Sequence, residues 1–277
     1  MYRRRDYGLR GHTKMSASFP SVCSIGTVDP TGAAGLATDL RVFALLEVVG
    51  NAAVAGLSAQ NAAGVRRVLA VPPSVIRAQL ESVWQEARPQ AICIGLLPRS
   101  AAIKCVRKFL KAQAHLPAVV LDPVIASSSG FTFLRREDVA NLKELLSLAT
   151  VVTPNIGELS RLTAMPINNL TEVEAAARAL AKTGCSVLAT GGHLPGRFCV
   201  DVLAHESRVT RYRSMRLPGT MRGMGGILAA ALAAHLARGE KFEHAVVKAR
   251  AFVRGAHAGA AMTSSGTSQL FQVRKRR

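Results

Sequence analysis

Short apolar runs alternate along this chain with stretches of helical spacing, and no other feature restricts the possible folds as tightly. The runs lie at Val22–Gly26, Ala52–Ser58, Ala91–Gly95, Ala118–Asp122, Thr150–Thr153, Ser186–Thr190 and Val200–His205. Most are almost continuously apolar rather than alternating, the pattern of strands covered on both faces, as in a parallel sheet. Between them, helices are expected over Gly35–Val49, Pro73–Glu86, Ser100–Ala114, Arg136–Leu148, Asn155–Thr163, Thr171–Thr183, Met224–Arg238 and Lys241–Thr263. Thr171 and Glu174 have capping-box spacing and set the start of one of them. Such alternation predicts a three-layer α/β/α sandwich around a mostly parallel sheet. Apolar residues make up 49% of the 277, enough for a large core. No repeat or low-complexity linker interrupts the pattern. One domain is expected over 21–263, with a basic N-terminal arm at 1–20 and a basic tail at 264–277.

In sheets of this type ligands bind beyond the carboxyl ends of the strands. Polar or glycine clusters follow six of the runs: DPTGAAG (Asp29–Gly35), SAQN (Ser58–Asn61), GLLP (Gly95–Pro98), DPV (Asp122–Val124), TPNIGE (Thr153–Glu158) and TGGH (Thr190–His193). A seventh feature is the segment Thr220–Ala237, where Gly223, Gly225 and Gly226 lead straight into an alanine-rich helix. A glycine turn at a helix N-terminus offers unpaired amides and the positive end of the helix dipole to an anion.

The net charge of +19 raises the question of nucleic acid. The arm contributes +4 (Arg3, Arg4, Arg5, Arg10 and Lys14 against Asp6) and the tail Arg274–Arg277 another +4. The remaining +11 is scattered without an aromatic-interleaved stripe, so anionic small molecules account for it and nucleic acid is not an expected partner. The five cysteines, at 23, 93, 105, 185 and 199, are irregularly spaced and contain no CxxC. That fits a reducing, cytoplasmic setting, with Cys93 as a core thiol. No apolar run is long enough to cross a bilayer.

The pieces DPTGAAGLATDLR, LSAQNAAGV, VVLDPVIASSSG, ATVVTPNIGEL, GGHL with a following DVL, and the glycine turn with its helix occur in that order. In this the chain resembles the hydroxymethylpyrimidine phosphate kinase family of thiamine biosynthesis, in the ribokinase-like superfamily, from Ser21 to about Ala260. The resemblance implies a ribokinase-like fold, ATP and Mg²⁺ as cofactors, a small-molecule pyrimidine as substrate and a homodimer. It places Asp39 and Gln60 on the aminopyrimidine, where a carboxylate and an amide suit an amino group and ring nitrogens. Val124 would pack on the ring. Asp122 and Asn155, with Thr190, Gly192 and Arg222, fall in the nucleotide region, and Glu158 with Asp122 on the metal side. A few hard oxygens completed by water and phosphate are what Mg²⁺ takes. Gly223, Gly225 and Gly226 form the anion hole.

The chain also departs from the family pattern. The family turn Thr-His-Gly-Thr-Gly-Cys corresponds to Met221, Arg222, Gly223, Met224, Gly225 and Gly226. The cysteine, which stands where sibling kinases keep a base, is therefore Gly226. The lysine of a Lys-Gly-Gly-His motif is Thr190, which leaves Arg222 as the compensating cation. A first-loop glycine is Thr27, and the flap Ala126–Phe133 lacks the family's lysine and aspartate. Phosphoryl transfer rests mainly on positioning and charge stabilisation. The expectation is a kinase that phosphorylates the pyrimidine alcohol, its monophosphate or both, favouring the monophosphate, whose nucleophilic oxygen is already ionised. Two alternatives stay open: a homologue that binds ligand without turnover, and a kinase for a related ring alcohol such as pyridoxal.

Overall fold

A computed structural model describes residues 19–192, 194–263, 266 and 268–269. The basic arm is thus almost wholly outside the described residues, as is most of the basic tail. In chain order the first half contains β1 (Ser21–Val28), α1 (Gly35–Leu45), β2 (Val49–Asn61), β3 (Gly64–Ala70), α2 (Pro73–Glu86), β4 (Ala91–Ile94), α3 (Ser100–Lys111) and β5 (Ala118–Leu121). There follow α4 (Arg136–Lys143), β6 (Val151–Val152), α5 (Ile156–Thr163), α6 (Leu170–Ala181), β7 (Ser186–Ala189), β8 (Phe198–His205), β9 (Arg208–Met215), α7 (Met224–Ala237), α8 (Phe242–Ala258), β10 (Ala261–Met262) and β11 (Ser268–Gln269).

Strands β1 to β9 form one sheet in the order β3-β2-β1-β4-β5-β6-β7-β8-β9. The stretch from β2 to β7 is parallel, and β3 at one edge and β8 and β9 at the other are antiparallel. Alternation along the central strands divides the core. Cys23 and Ile25 of β1 and Ile92 and Ile94 of β4 pack beneath α2 to α6. Val22, Ala91 and Cys93 face α1, α7 and α8. The result is the expected three-layer sandwich, with Cys93 a core thiol.

Helix α7 is buried all round, from Ile227 to His235, as a helix with no polar face must be. Alanine is the strongest helix former, and its short side chain lets the helix lie against β1, β4 and β5 while α1 and α8 cover its other sides. Its N-terminus is thereby fixed at the carboxyl edge of the sheet.

Several element boundaries differ from those expected. Helix α6 is capped by Asn169, whose Oδ1 accepts the Glu172 amide at 3.0 Å, so Thr171 and Glu174 are not the capping pair. Asparagine two positions earlier offers an equivalent side-chain acceptor in the extended conformation an N-cap requires. Helix α1 stops at Leu45, and Val49 already belongs to β2. That strand extends to Asn61 and turns back as β3, with Asn61 Oδ1 accepting the Ala63 amide at 2.9 Å in the turn. Helix α8 ends at Ala258, and Ala261–Met262 pairs with Ser268–Gln269. Among the described residues, no helix is long and apolar enough to cross a membrane.

Candidate active site

Two glycines fix the loop between β1 and α1. Gly35 has φ +62° and bridges to Val28, where a β-carbon would run into the Thr27 carbonyl. On the loop's other side, the turn before α7 approaches through Gly223, with φ +76°, packed against the Ala33 carbonyl. An L-residue adopts this backbone region only at a cost. Within the loop, the Asp29 carboxylate is buried and accepts from the Thr31 amide and hydroxyl, both at 2.9 Å. Arg222 reaches across from the turn, with Nη2 3.4 Å from Asp29 Oδ2 and Nη1 3.4 Å from Thr31 Oγ1. The Arg222 amide donates to the Ser268 carbonyl of β11 at 3.0 Å, so the C-terminal hairpin braces the same turn. Ile227 makes the bond to the Gly223 carbonyl at 2.9 Å, and the amides of Met224, Gly225 and Gly226 precede it at the open end of α7. Such an end attracts anions.

Two buried carboxyl groups lie beside this turn, Asp39 on α1 and Asp122 after β5, and a third, Glu158 in the first turn of α5, acts on Asp122. A β-carbon on Gly226 would stand 3.9 Å from Asp39 Oδ1 and 3.9 Å from Asp122 Oδ2, and one on Gly225 3.8 Å from Asp122 Oδ2. The Ser24 hydroxyl donates to Asp39 Oδ2 at 2.6 Å. Burial pushes the Asp39 carboxyl up to about 7 against that hydrogen bond. Burial, then the charges of Glu158 and Asp39, drive Asp122 well above the usual carboxylate range. Glu158 is pushed up to about 7 by burial, opposed by its bonds to the Asn155 and Ile125 amides. Glu158 also closes a capping box: its Oε2 accepts the Asn155 amide at 2.9 Å, and Asn155 Oδ1 accepts the Glu158 amide at 3.0 Å. Buried carboxylates that raise one another in this way resist ionising together unless a cation neutralises them. Among the described residues no three acidic, histidine or cysteine side chains form a metal-binding group, so a divalent cation held by Asp122 and Glu158 would take the rest of its shell from phosphate and water.

The third part of the site follows β7. The Thr190 amide donates to the Pro154 carbonyl at 2.9 Å and Thr190 bridges to Asn155, so TPNIGE and TGG adjoin. Gly191 donates its amide to Asp201 Oδ1 at 3.0 Å, and its missing side chain leaves room for the Val200 carbonyl. Gly192 is exposed, with open space where a side chain would be. His193 lies outside the described residues.

The structure thus brings together Asp39, Asp122, Gly225 and Gly226, sets Glu158 where its charge raises Asp122, joins Asn155 to Thr190, and ties Arg222 to the first loop. Val124 is half-buried beside Asp122, with its amide on the Asp122 carbonyl at 2.9 Å. Gln60 lies on the β2–β3 hairpin, half-buried and paired with Val65. Reasoning from sequence missed Ser24, which engages Asp39, and Asp29 with Thr31, which receive Arg222. Ser24 carries a signal in hindsight: it is a hydroxyl within an otherwise buried apolar strand, which needs a partner. Thr27, at a position where the resembling family has glycine, donates its hydroxyl to the Leu96 carbonyl at 3.0 Å.

Comparison with known proteins shows the family. Residues 29–270 match the phosphomethylpyrimidine kinase family model. A hydroxymethylpyrimidine/phosphomethylpyrimidine kinase of Haemophilus influenzae is 37% identical over 243 residues, 85% of this chain and 90% of that protein. Among solved structures, an ADP complex of Bacillus subtilis pyridoxal kinase superimposes with TM-score 0.85 at 28% identity, covering 91% of this chain and 97% of the other. The phosphomethylpyrimidine kinase of Clostridium difficile 630 gives 0.76 at 29% identity, covering 87% and 100%. Built on the same sandwich and matched from the first loop to the C-terminal hairpin, the chain belongs to the phosphomethylpyrimidine kinase family.

Proposed function

We propose that this chain is an ATP-dependent phosphotransferase acting on 4-amino-5-hydroxymethyl-2-methylpyrimidine and its monophosphate in thiamine biosynthesis, with a preference for the monophosphate. The observation that carries the preference is Gly226. It stands in the first turn of α7 between Asp39 and Asp122, in an intact glycine turn that has no proton acceptor of its own.

In this reading Asp39 and Gln60 hold the aminopyrimidine ring and Val124 packs on it. The amides around Gly223, Gly225 and Gly226 receive the phosphoryl group. Asn155, Thr190, Gly192 and Arg222 serve the nucleotide, and Asp122 and Glu158 serve Mg²⁺. Bound there, Mg²⁺ supplies charge neutralisation of the phosphates. Asp39 already accepts from Ser24 and is committed to orienting the ring, which leaves the hydroxymethyl proton without an assigned acceptor. A positioned base is worth on the order of 10²–10⁴-fold. The monophosphate oxygen is already ionised near neutral pH, so only the first phosphorylation forfeits that factor. Turnover of each substrate by the purified protein with Mg-ATP tests the preference, and calorimetric titration with Mg-ATP tests whether nucleotide is bound at all.

A pyridoxal-type activity is the second reading. It is favoured by the closer superposition on pyridoxal kinase, 0.85 against 0.76. Thermal shifts with pyrimidine and pyridoxal compounds separate the two: the larger shift with the pyrimidine is expected. A homodimer belongs to the main reading, and light scattering on the purified protein measures it.

A further inference from the structure

We propose that Arg216 is the positioning residue of the nucleotide-side loop, holding the carbonyls of Gly192, Leu194 and Gly196 so that the loop receives ATP. The inference rests on the kinase reading above and adds to it a residue outside the expected site.

The chain leaves β7 at Ala189 and returns as β8 at Phe198. Among the described residues of this excursion, backbone pairing is sparse. The Leu194 amide donates to the Gly191 carbonyl at 3.2 Å and the Arg216 amide to the Arg197 carbonyl at 3.0 Å. Three carbonyls are instead gathered by a single guanidinium. Arg216 Nη1 donates to Gly192 O at 2.7 Å, Nε donates to Gly196 O at 2.9 Å, and Nη2 donates to Leu194 O. The planar fork, with separate donors on Nε and both Nη atoms, meets the three carbonyls in one fixed geometry. A lysine ammonium on a flexible stem lacks that fixed geometry. Arg216 itself is set at the end of β9, where its own amide continues the β8–β9 pairing.

A second arginine steadies the same loop from its other end. Arg250 Nε donates to Asp201 Oδ2 at 2.7 Å while Asp201 Oδ1 takes the Gly191 amide at 3.0 Å. Arg250 works through a carboxylate and so delivers no charge to the loop. Arg216 is bonded to the loop directly and adds its cation to that of Arg197 at the loop's end. With glycines at 191, 192 and 196, this backbone is cheap to disorder in the absence of such a brace. Ordering it beforehand lowers the entropy that nucleotide binding would otherwise cost.

The test compares wild type, Arg216→Ala and Arg216→Lys in kinase turnover, ATP titration by calorimetry and amide hydrogen exchange over residues 190–197. Displacing a positioning segment by about an ångström is worth up to about 100-fold. The expected result for Arg216→Ala is a KM for ATP raised at least about tenfold. Its KM for the pyrimidine should be unchanged, its Tm close to wild type and exchange in 190–197 faster. Arg216→Lys restores charge but not the fork and should recover only part of the ATP affinity. An unchanged ATP KM in a folded Arg216→Ala overturns the inference. So does a KM that rises equally for both substrates, which marks a general loss of structure. Wild-type protein that binds no nucleotide overturns the kinase reading together with this inference, whereas nucleotide binding that is indifferent to Arg216 overturns the inference alone.

Discussion

Replacing Gly223 with alanine probes the turn on which the phosphoryl site depends. Two penalties follow from the structure. The φ of +76° is left-handed, which costs an L-residue about 1–2 kcal/mol. The new β-carbon would also lie 2.2 Å from the Ala33 carbonyl oxygen, 0.8 Å inside the 3.0 Å limit for such contacts. That oxygen is backbone, so the turn or the first loop must move by nearly an ångström. For a domain of this size each kcal/mol shifts Tm by about 2–4 °C, so a loss of about 2–8 °C is expected from the backbone penalty. The displacement carries the amides of residues 224–226 with it and should cut kcat on the monophosphate on the order of 100-fold. Gly226→Ala is the matched control. Its β-carbon meets Asp39 and Asp122 at 3.9 Å, ordinary contact distance. Alanine in place of glycine within a helix gains about 0.5–1 kcal/mol, so Tm should hold or rise. Coupled-assay kcat and melting by circular dichroism measure both. If Gly223→Ala keeps its rate within about threefold, or loses no more than Gly226→Ala, the turn does not carry the phosphoryl group.

Three further outcomes are expected. Burial lifts Asp39 from 3.8 and Glu158 from 4.5, each to about 7, so the folded protein retains protons that the unfolded chain has released. Their contribution to stability is then complete below about pH 4 and lost as pH rises through 7, and Asp39→Asn should raise Tm at pH 8 but not at pH 4; an equal effect at both contradicts this. Arg222→Ala leaves the buried Asp29 carboxylate without its cation, 3.4 Å away. A loss of about 1–3 kcal/mol in urea unfolding is expected, and no loss means the pair does not form in solution. Asp138 joins α3 to α4, accepting from the Ser100 amide at 2.7 Å, the Ser100 hydroxyl at 2.6 Å and the Arg135 amide at 3.0 Å. Burial raises its carboxyl, but these bonds outweigh burial and hold it below the usual range. Asp138→Ala should cost about 2 kcal/mol at pH 7, and progressively less as pH falls below the carboxylate range.

Much of this architecture was legible in the residues because the buried parallel strands have no polar face: AICI and AVVL could only be central. The edge hairpins were harder. Residues Gly64–Ala70 and Arg208–Met215 carry exposed arginines among their apolar residues, which reads as loop until a partner strand supplies the pairing. Gln60 was placed in a loop for the same reason and lies in a strand. The start of α6 went astray because two cap-competent residues stand two positions apart, and the choice between Asn169 and Thr171 depends on where the preceding chain enters. Within the site, the glycines and acids announced themselves by following apolar runs. Contacts made by residues distant in sequence did not. Ser24 engages Asp39 fifteen residues on, and Arg222 meets Asp29 only because Gly223 allows the turn to touch the first loop.

The most direct measurement is the rate of phosphoryl transfer from Mg-ATP to the pyrimidine alcohol and to its monophosphate, at pH 7.5 and saturating substrate, with wild type and Gly226→Cys side by side. Wild type should turn over the monophosphate faster than the alcohol, and Gly226→Cys should raise the alcohol rate more than the monophosphate rate. Equal or faster turnover of the alcohol by wild type, or a cysteine that changes neither ratio, contradicts the proposed role of the missing side chain.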